Sequence, residues 1–210
     1  MAYRFIKRLF DVVISLIGCV FLIPLYIIIR IAYLFTGDFH KIIYVQPRIG
    51  KNGKIFNIYK FRTMEHNAEE HLKELLDKNP KLKEEYTRNK KLEKDPRITK
   101  VGRFVRRFSI DETPQFINVF IGQMSVIGNR PYLTYEKRDM GKYYENIVKT
   151  KPGITGIWQI SGHNNVPFKS RLVLEAQYSE QACLSIDAHI FFRTFSTLLM
   201  GGGGKKLWNL

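Results

Sequence analysis

Cysteine is scarce: Cys19 and Cys183 are the only two in 210 residues, too few for a disulfide framework. No Cys/His cluster stands at zinc spacing, so a structural zinc site is not expected and a reduced, cytosolic-side protein is the default. Acid is also short, since 19 Asp and Glu face 34 Lys and Arg and leave a net charge of +15. That excess calls for an anionic partner, for which nucleic acid, an anionic membrane face and a phosphorylated substrate all qualify. Disorder is excluded, because 45% of the residues are hydrophobic and 13% aromatic. The length suits one domain with a sizeable core, or one domain plus a membrane segment.

Charge is absent altogether from Val12 to Ile29, and apolar character resumes after Arg30 as far as Phe35. This is membrane-length hydrophobicity. A cleaved signal peptide fits poorly, because the stretch is too long and no small-x-small site follows it. A soluble core helix apolar on every face would need a domain wrapped round it, so the bilayer is the better solvent. Pro24 sits in the middle, where it removes a backbone donor, and a bend between Leu22 and Pro24 is expected. Each arm beside it is about 17 Å long at ~1.5 Å per residue, close to half the ~30 Å hydrocarbon core. Cations stand at both ends, with Arg4, Lys7 and Arg8 before the stretch and Arg30, Lys41 and Arg48 after it. The simplest topology puts both ends in the cytoplasm, although an ordinary span with a proline kink remains open on these residues.

Beyond the membrane segment, Ile42–Met64 reads as a hairpin around Asn52-Gly53. Glu65–Lys94, dense in Lys and Glu, reads as one or two solvated helices broken near Asn79-Pro80. Lys151–Gly162 is a glycine-bearing loop or strand region around Trp158. Lys169–Tyr178 and Ser185–Met200 have helical patterns, and the second is amphipathic enough for a core or a membrane surface. Residues 201–210 form a glycine-rich tail, expected to be flexible, with no assigned function. The histidines form no spaced cluster and are read as structural or surface residues.

Chemistry concentrates where Asp111 and Glu112 follow Arg103, Arg106 and Arg107. Arginine is the planar, always-charged donor for phosphoryl oxygens, and an Asp carboxylate is an established covalent nucleophile toward phosphate. A neighbouring carboxylate can hold a divalent cation bridging to a substrate phosphate. A solvated ion-pair cluster at a helix start, capped by Ser109 or Asp111, explains the same residues and stays open at this point.

The ordered motifs resemble those of the bacterial sugar transferases, the monotopic phosphoglycosyl transferases. They are Lys7-Arg8 with Phe10-Asp11; Gln46-Pro-Arg48 through Gly53 to Phe56; Tyr59-Lys60-Phe61-Arg62-Thr63-Met64; Asp95-Pro-Arg97 through Gly102; Ser109 through Asp111-Glu112 to Asn118; Gly122 through Gly128-Asn-Arg130-Pro131; and Lys151-Pro-Gly153 through Trp158-Gln159. The resemblance runs from residue 7 to about 190, and the length suggests the minimal catalytic unit. It implies an α+β, mostly helical fold: a re-entrant helix-break-helix in residues 1–40 with its break at Pro24, a small cytosolic catalytic domain in 41–200 with membrane-surface amphipathic helices, and the tail. It also implies transfer of a sugar 1-phosphate from a UDP-sugar to polyprenyl (undecaprenyl) phosphate, with release of UMP, at the cytoplasmic face of the bacterial inner membrane, to start a cell-surface glycan. Asp111 would be the nucleophile, and Glu112, with Asp111, would hold Mg²⁺. Lys60, Arg62, Arg106, Arg130 and Pro131 would bind substrate. A homodimer is left open.

The chain departs from the family at Asn129, where Pro is common, at Ile23 before Pro24, at Glu175, where Asp is usual, and at Ile186-Asp187-Ala188-His189. The sugar therefore does not follow from the resemblance. The rivals are a noncatalytic membrane scaffold of a glycan assembly complex and a nucleic-acid-binding membrane protein. The latter lacks any recognisable recognition module, and no nucleic-acid partner is expected.

Overall fold

A computed structural model describes residues 2–89, 92–162 and 166–199; the tail assigned to 201–210 and His163 lie outside them. It begins with helix α1 (Ala2–Phe35), whose exposure is inverted relative to a soluble helix. Phe5, Leu9, Val13, Leu16, Val20, Phe21, Ile23, Ile27 and Ile28 are exposed, whereas Asp11 and Ser15 are buried. A helix that turns its apolar faces outward needs an apolar solvent to satisfy them. The helix is long and apolar enough to cross a membrane. Helical conformation runs through Pro24, so the expected break does not take the chain out of the helix. Both neighbouring turns are held by their own hydrogen bonds, and loss of one donor does not end such a long apolar helix.

The described chain is mostly helical with two small sheets, an α+β composition. Strands β1 (Ile43–Ile49) and β2 (Ile55–Phe61) form the expected hairpin. Its turn places Asn52 at φ 56° and Gly53 at φ 74°, the left-handed pair that Asn-Gly supplies cheaply. Helices α2 (Ala68–Lys78) and α3 (Pro80–Asn89) meet at Asn79, as the Asn-Pro pair predicts. Then follow α4 (Lys100–Arg107), α5 (Gln115–Phe120), β3 (Ser125–Ile127), α6 (Lys137–Met140), α7 (Tyr144–Ile147), β4 (Gly153–Thr155), α8 (Ile157–Ile160), α9 (Phe168–Gln181) and α10 (Leu184–Leu199).

The chain forms two compact units. The first comprises residues up to Leu22, Val45–Tyr59 and the described residues from Pro114 on. Its centre is the parallel pair β3–β4, with Ser125 opposite Gly153 and Ile127 opposite Thr155. A β-carbon on Gly153 would lie 2.1 Å from the Gly128 nitrogen, so this crossing admits only glycine. Ile58, Val119, Met124, Val126, Tyr178 and Ile190 pack there, with Phe10 and Ile14 of α1 against them. Three charged side chains tie α1 into this core. Asp11 accepts from the Ser125 hydroxyl at 2.9 Å and from the Val126 N–H at 2.8 Å. Lys7 pairs with Asp187 of α10 at 2.6 Å and donates to the Ile127 carbonyl at 2.9 Å. Arg8 donates to the carbonyls of Val119 and Phe120, each at 2.8 Å.

The second unit comprises Ile23–Tyr44 and Lys60–Thr113. Within it the buried Tyr33 hydroxyl donates to the Arg62 carbonyl at 2.5 Å, and Tyr26 stands against Phe61 with ring centroids 6.5 Å apart. Met64 bridges to Ile98, which brings the segment after β2 beside the start of α4.

Candidate active site

The carboxylate pair sits in the second unit, and its position follows from the fit of α4 on the segment after β2. Thr99 caps α4, its hydroxyl accepting from the Gly102 N–H at 2.9 Å. A β-carbon on Gly102 would fall 1.9 Å from the Thr63 carbonyl oxygen, so only glycine lets the helix lie this close. Arg106 is one turn on and therefore on the same face. Its Nε donates to the Thr63 hydroxyl at 2.8 Å. After α4 the chain reverses through Ser109, a non-glycine residue at φ 55°, into a single 3₁₀ turn, Ile110–Glu112. Ser109 holds the N-cap position of that turn without a side-chain cap bond, and Pro114 holds that of α5. The capping role that would have made Ser109 an ordinary helix-start residue is thus not exercised.

Glu112 pairs with Lys60 of β2 at 2.9 Å. Burial, followed by repulsion from Glu112, pushes the Asp111 carboxyl up to about 6, and Lys60 and Arg106 pull it the other way. Four charged groups, two of each sign, therefore act on one another around a carboxylate drawn partly out of water. Such a carboxylate is poorly hydrated and hence a better oxygen nucleophile, provided cations keep it ionised.

Among the described residues no group of three or more His, Cys, Asp or Glu is placed to hold a metal ion. Mg²⁺ does not require one, since it is commonly held through one or two carboxylates with substrate phosphates and water completing the octahedron. Asp111 and Glu112, adjacent and mutually repelling, are a donor set that fits it.

The expected substrate residues divide. Lys60 and Arg106 act on Asp111 with Glu112. Arg62, the other basic position expected near the site, is engaged in structural contacts. It is 8% exposed, donates to the carbonyls of Lys41 (2.8 Å) and Met64 (3.0 Å), and is clamped by Asp38 at 2.9 Å. Its guanidinium also stacks over Tyr33, 4.7 Å from the ring centroid. These contacts hold the end of β2 in place. Arg62 is locked by Asp38, which carries no sequence signal, and Arg106 by Thr63, a motif residue with no role assigned from sequence; nothing local marks residues so far along the chain as partners.

Arg130 and Pro131 belong to the first unit. The Arg130 N–H donates to the fully buried Glu175 at 2.7 Å, and its guanidinium stands 5.7 Å from the Trp158 ring centroid, with that of Arg171 4.4 Å from the same ring. The Pro131 carbonyl accepts from Arg48 at 2.9 Å. Asn129, the departure from the family's proline, donates to the Ile147 carbonyl and to the hydroxyls of Thr150 and Ser179. A shallow pocket lies beside these residues, lined by Asn129, Arg130, Tyr132, Met140 and Pro152 among others.

Comparison with known proteins places this site in a class: residues 2–201 match the bacterial sugar transferase family, and the chain belongs to it. Among its relatives, the undecaprenyl-phosphate galactose phosphotransferase of Salmonella typhimurium is 40% identical over 95% of this chain and 42% of its own length. The exopolysaccharide production protein ExoY of Sinorhizobium fredii is 37% identical over 94% of this chain and 87% of its own length. The UDP-glucose:undecaprenyl-phosphate glucose-1-phosphate transferase of Escherichia coli is 32% identical over 91% of this chain and 39% of its own length. The chain thus spans less than half of the Salmonella and Escherichia proteins and most of ExoY.

Proposed function

We propose that this chain is a phosphoglycosyl transferase that moves a hexose 1-phosphate from a UDP-sugar to undecaprenyl phosphate, releasing UMP and starting a cell-surface glycan. The observation that carries the proposal is Asp111, half-buried in a 3₁₀ turn, with Lys60, Arg106 and Glu112 acting on its charge. The relatives' names supply the lipid acceptor and the sugar phosphate; two of them name different sugars, so hexose is the level assigned.

In the proposed reaction a carboxylate oxygen of Asp111 bonds to the sugar-linked phosphorus of the donor. The bond from that phosphorus to the bridging oxygen breaks, and its electron pair leaves on UMP. Lys60 and Arg106 offset the charge that gathers on the phosphoryl oxygens. An oxygen of undecaprenyl phosphate then attacks the same phosphorus, and the Asp111 carboxylate leaves. Splitting one displacement between two bulky anions into two means that donor and acceptor need not share the site. Mg²⁺, held by Glu112 and Asp111, would neutralise diphosphate charge when bound. Arg130 and Pro131 are assigned to the nucleotide, with Arg130→Ala raising KM for the UDP-sugar. The membrane assignment completes the proposal: α1 re-enters the cytoplasmic leaflet of the inner membrane, so that soluble donor and lipid acceptor meet at its surface.

Purified protein given Mg²⁺ and the matching UDP-sugar without lipid should gain the mass of one phosphosugar on the peptide containing Asp111. Adding undecaprenyl phosphate should discharge it. Asp111→Asn should form no adduct and lower UMP release by ~1000-fold or more, since an amide is a far poorer nucleophile. An unmodified wild type with intersecting kinetics would exclude the covalent step. Full activity in Asp111→Asn, or no UMP release with any UDP-sugar, would exclude the assignment itself.

A further inference from the structure

Away from the carboxylates, the first unit gathers positive charge at the end of α5. Gly122, at φ +87°, leaves an open point that a β-carbon would fill, and Arg8 Nη2 and Lys151 Nζ each lie 3.6 Å from it. The two cationic nitrogens are therefore no farther apart than twice that distance. Arg8 is fixed there by the Val119 and Phe120 carbonyls. Among the described residues, the Lys151 ammonium makes no hydrogen bond or ion pair. Burial, then the charges of Arg8, Lys51 and Lys7, lower its pKa, and Asp11 is the acid that opposes them. Asp11 already spends an oxygen on Ser125 and Val126. Like charges held this close and partly out of water are unfavourable unless an anion joins them.

The surroundings say which anion. On α1, Phe5 is 71% exposed and Leu9 57%; Ile117 and Phe120 of α5 and Ile121 just after it are also exposed. A soluble phosphate would have no use for this apolar border. An anion attached to acyl chains would satisfy both, with its phosphate on the cations and its chains along the aromatic and aliphatic side chains. A phosphodiester can accept a charge-assisted bond of about 2.8 Å from each cation through two different oxygens, which spans the separation.

We propose that Arg8 and Lys151, converging over Gly122, form a site for the headgroup phosphate of an anionic membrane phospholipid. The site rests on the membrane association in the functional reading but not on the transferase chemistry, so it can be tested without turnover. Full-length protein would be placed in nanodiscs of phosphatidylcholine and phosphatidylglycerol in equal parts. The lipids retained after transfer to detergent would be identified by native mass spectrometry. Wild type should retain phosphatidylglycerol in preference. Lys151→Gln should retain about fivefold less, the factor corresponding to the ~1 kcal/mol of one basic residue at an anionic surface, with phosphatidylcholine unchanged. Lys151→Arg should restore retention. If Lys151→Gln melts lower than wild type, Lys51→Gln gives a second reading, with a smaller loss in the same direction.

Equal phosphatidylglycerol retention in wild type and a folded Lys151→Gln overturns the site. So does displacement of the retained lipid by an equimolar amount of undecaprenyl phosphate, which would make this the acceptor's position. Failure to enter nanodiscs at all removes the membrane reading together with the site; entry without phospholipid preference removes the site alone.

Discussion

Glu175 has no exposed surface, and its nearest charged or titratable neighbours are Tyr132, Arg130 and Arg171. Burial outweighs those arginines and raises its carboxyl from about 4.5 to about 7. A carboxyl with a raised pKa binds its proton more tightly when folded. The stability from that proton is complete below about 4.5 and is lost as pH climbs to about 7. Glu175→Gln keeps an acceptor for the Arg130 N–H and removes the titration. Melting temperatures of wild type and variant should therefore diverge between pH 4.5 and 7, the wild type losing about 4 °C or more relative to the variant. Parallel curves would show that Glu175 does not change charge on folding. The sequence marked Glu175 as a departure from its family but could not show it buried behind Arg130, because that contact spans 45 residues. The same limit applies to Arg62. Its motif position is legible, whereas the Asp38 that clamps it comes from a segment with no periodic signal.

At the scale of elements, local signals were read well wherever local physics decides. Asn52-Gly53 made the hairpin turn, Asn79-Pro80 separated α2 from α3, and amphipathic spacing marked α9 and α10. The region around Trp158 resolved into a three-residue strand and one turn of helix, too short for periodicity to separate. Pro24 gave a true local cost without ending α1. The parallel pairing of β3 with β4 was not legible, because a parallel register depends on an intervening crossover and not on a turn. The seating of α4 on Thr63 is likewise hidden in a single glycine. Gly102→Ala forces a methyl against a backbone oxygen that cannot turn aside. It should destabilise the protein by ~1–3 kcal/mol, the usual cost of overpacking. By shifting Arg106 it should also lower UMP release more than it lowers the folded fraction. Chemical denaturation beside turnover separates the two effects.

For the whole molecule the question is which side of the bilayer each end of α1 occupies. Single cysteines near residues 5 and 40, in a background without Cys19 and Cys183, should both resist an impermeant thiol reagent in intact cells and both react after lysis. Labelling of the early position from outside would establish a span. Pro24→Ala restores a backbone donor and should move part of the population to that spanning state. The contacts of Asp11 also set an order of events during synthesis. Its partners Ser125 and Val126 lie 114 and 115 residues later, so they are still unmade when the helix leaves the ribosome. Until then an uncompensated carboxylate and the cations beside it resist full burial in lipid. This helix is thus expected to stay at the surface of the bilayer until the chain that completes it has arrived, so that its final depth is decided by folding rather than by insertion.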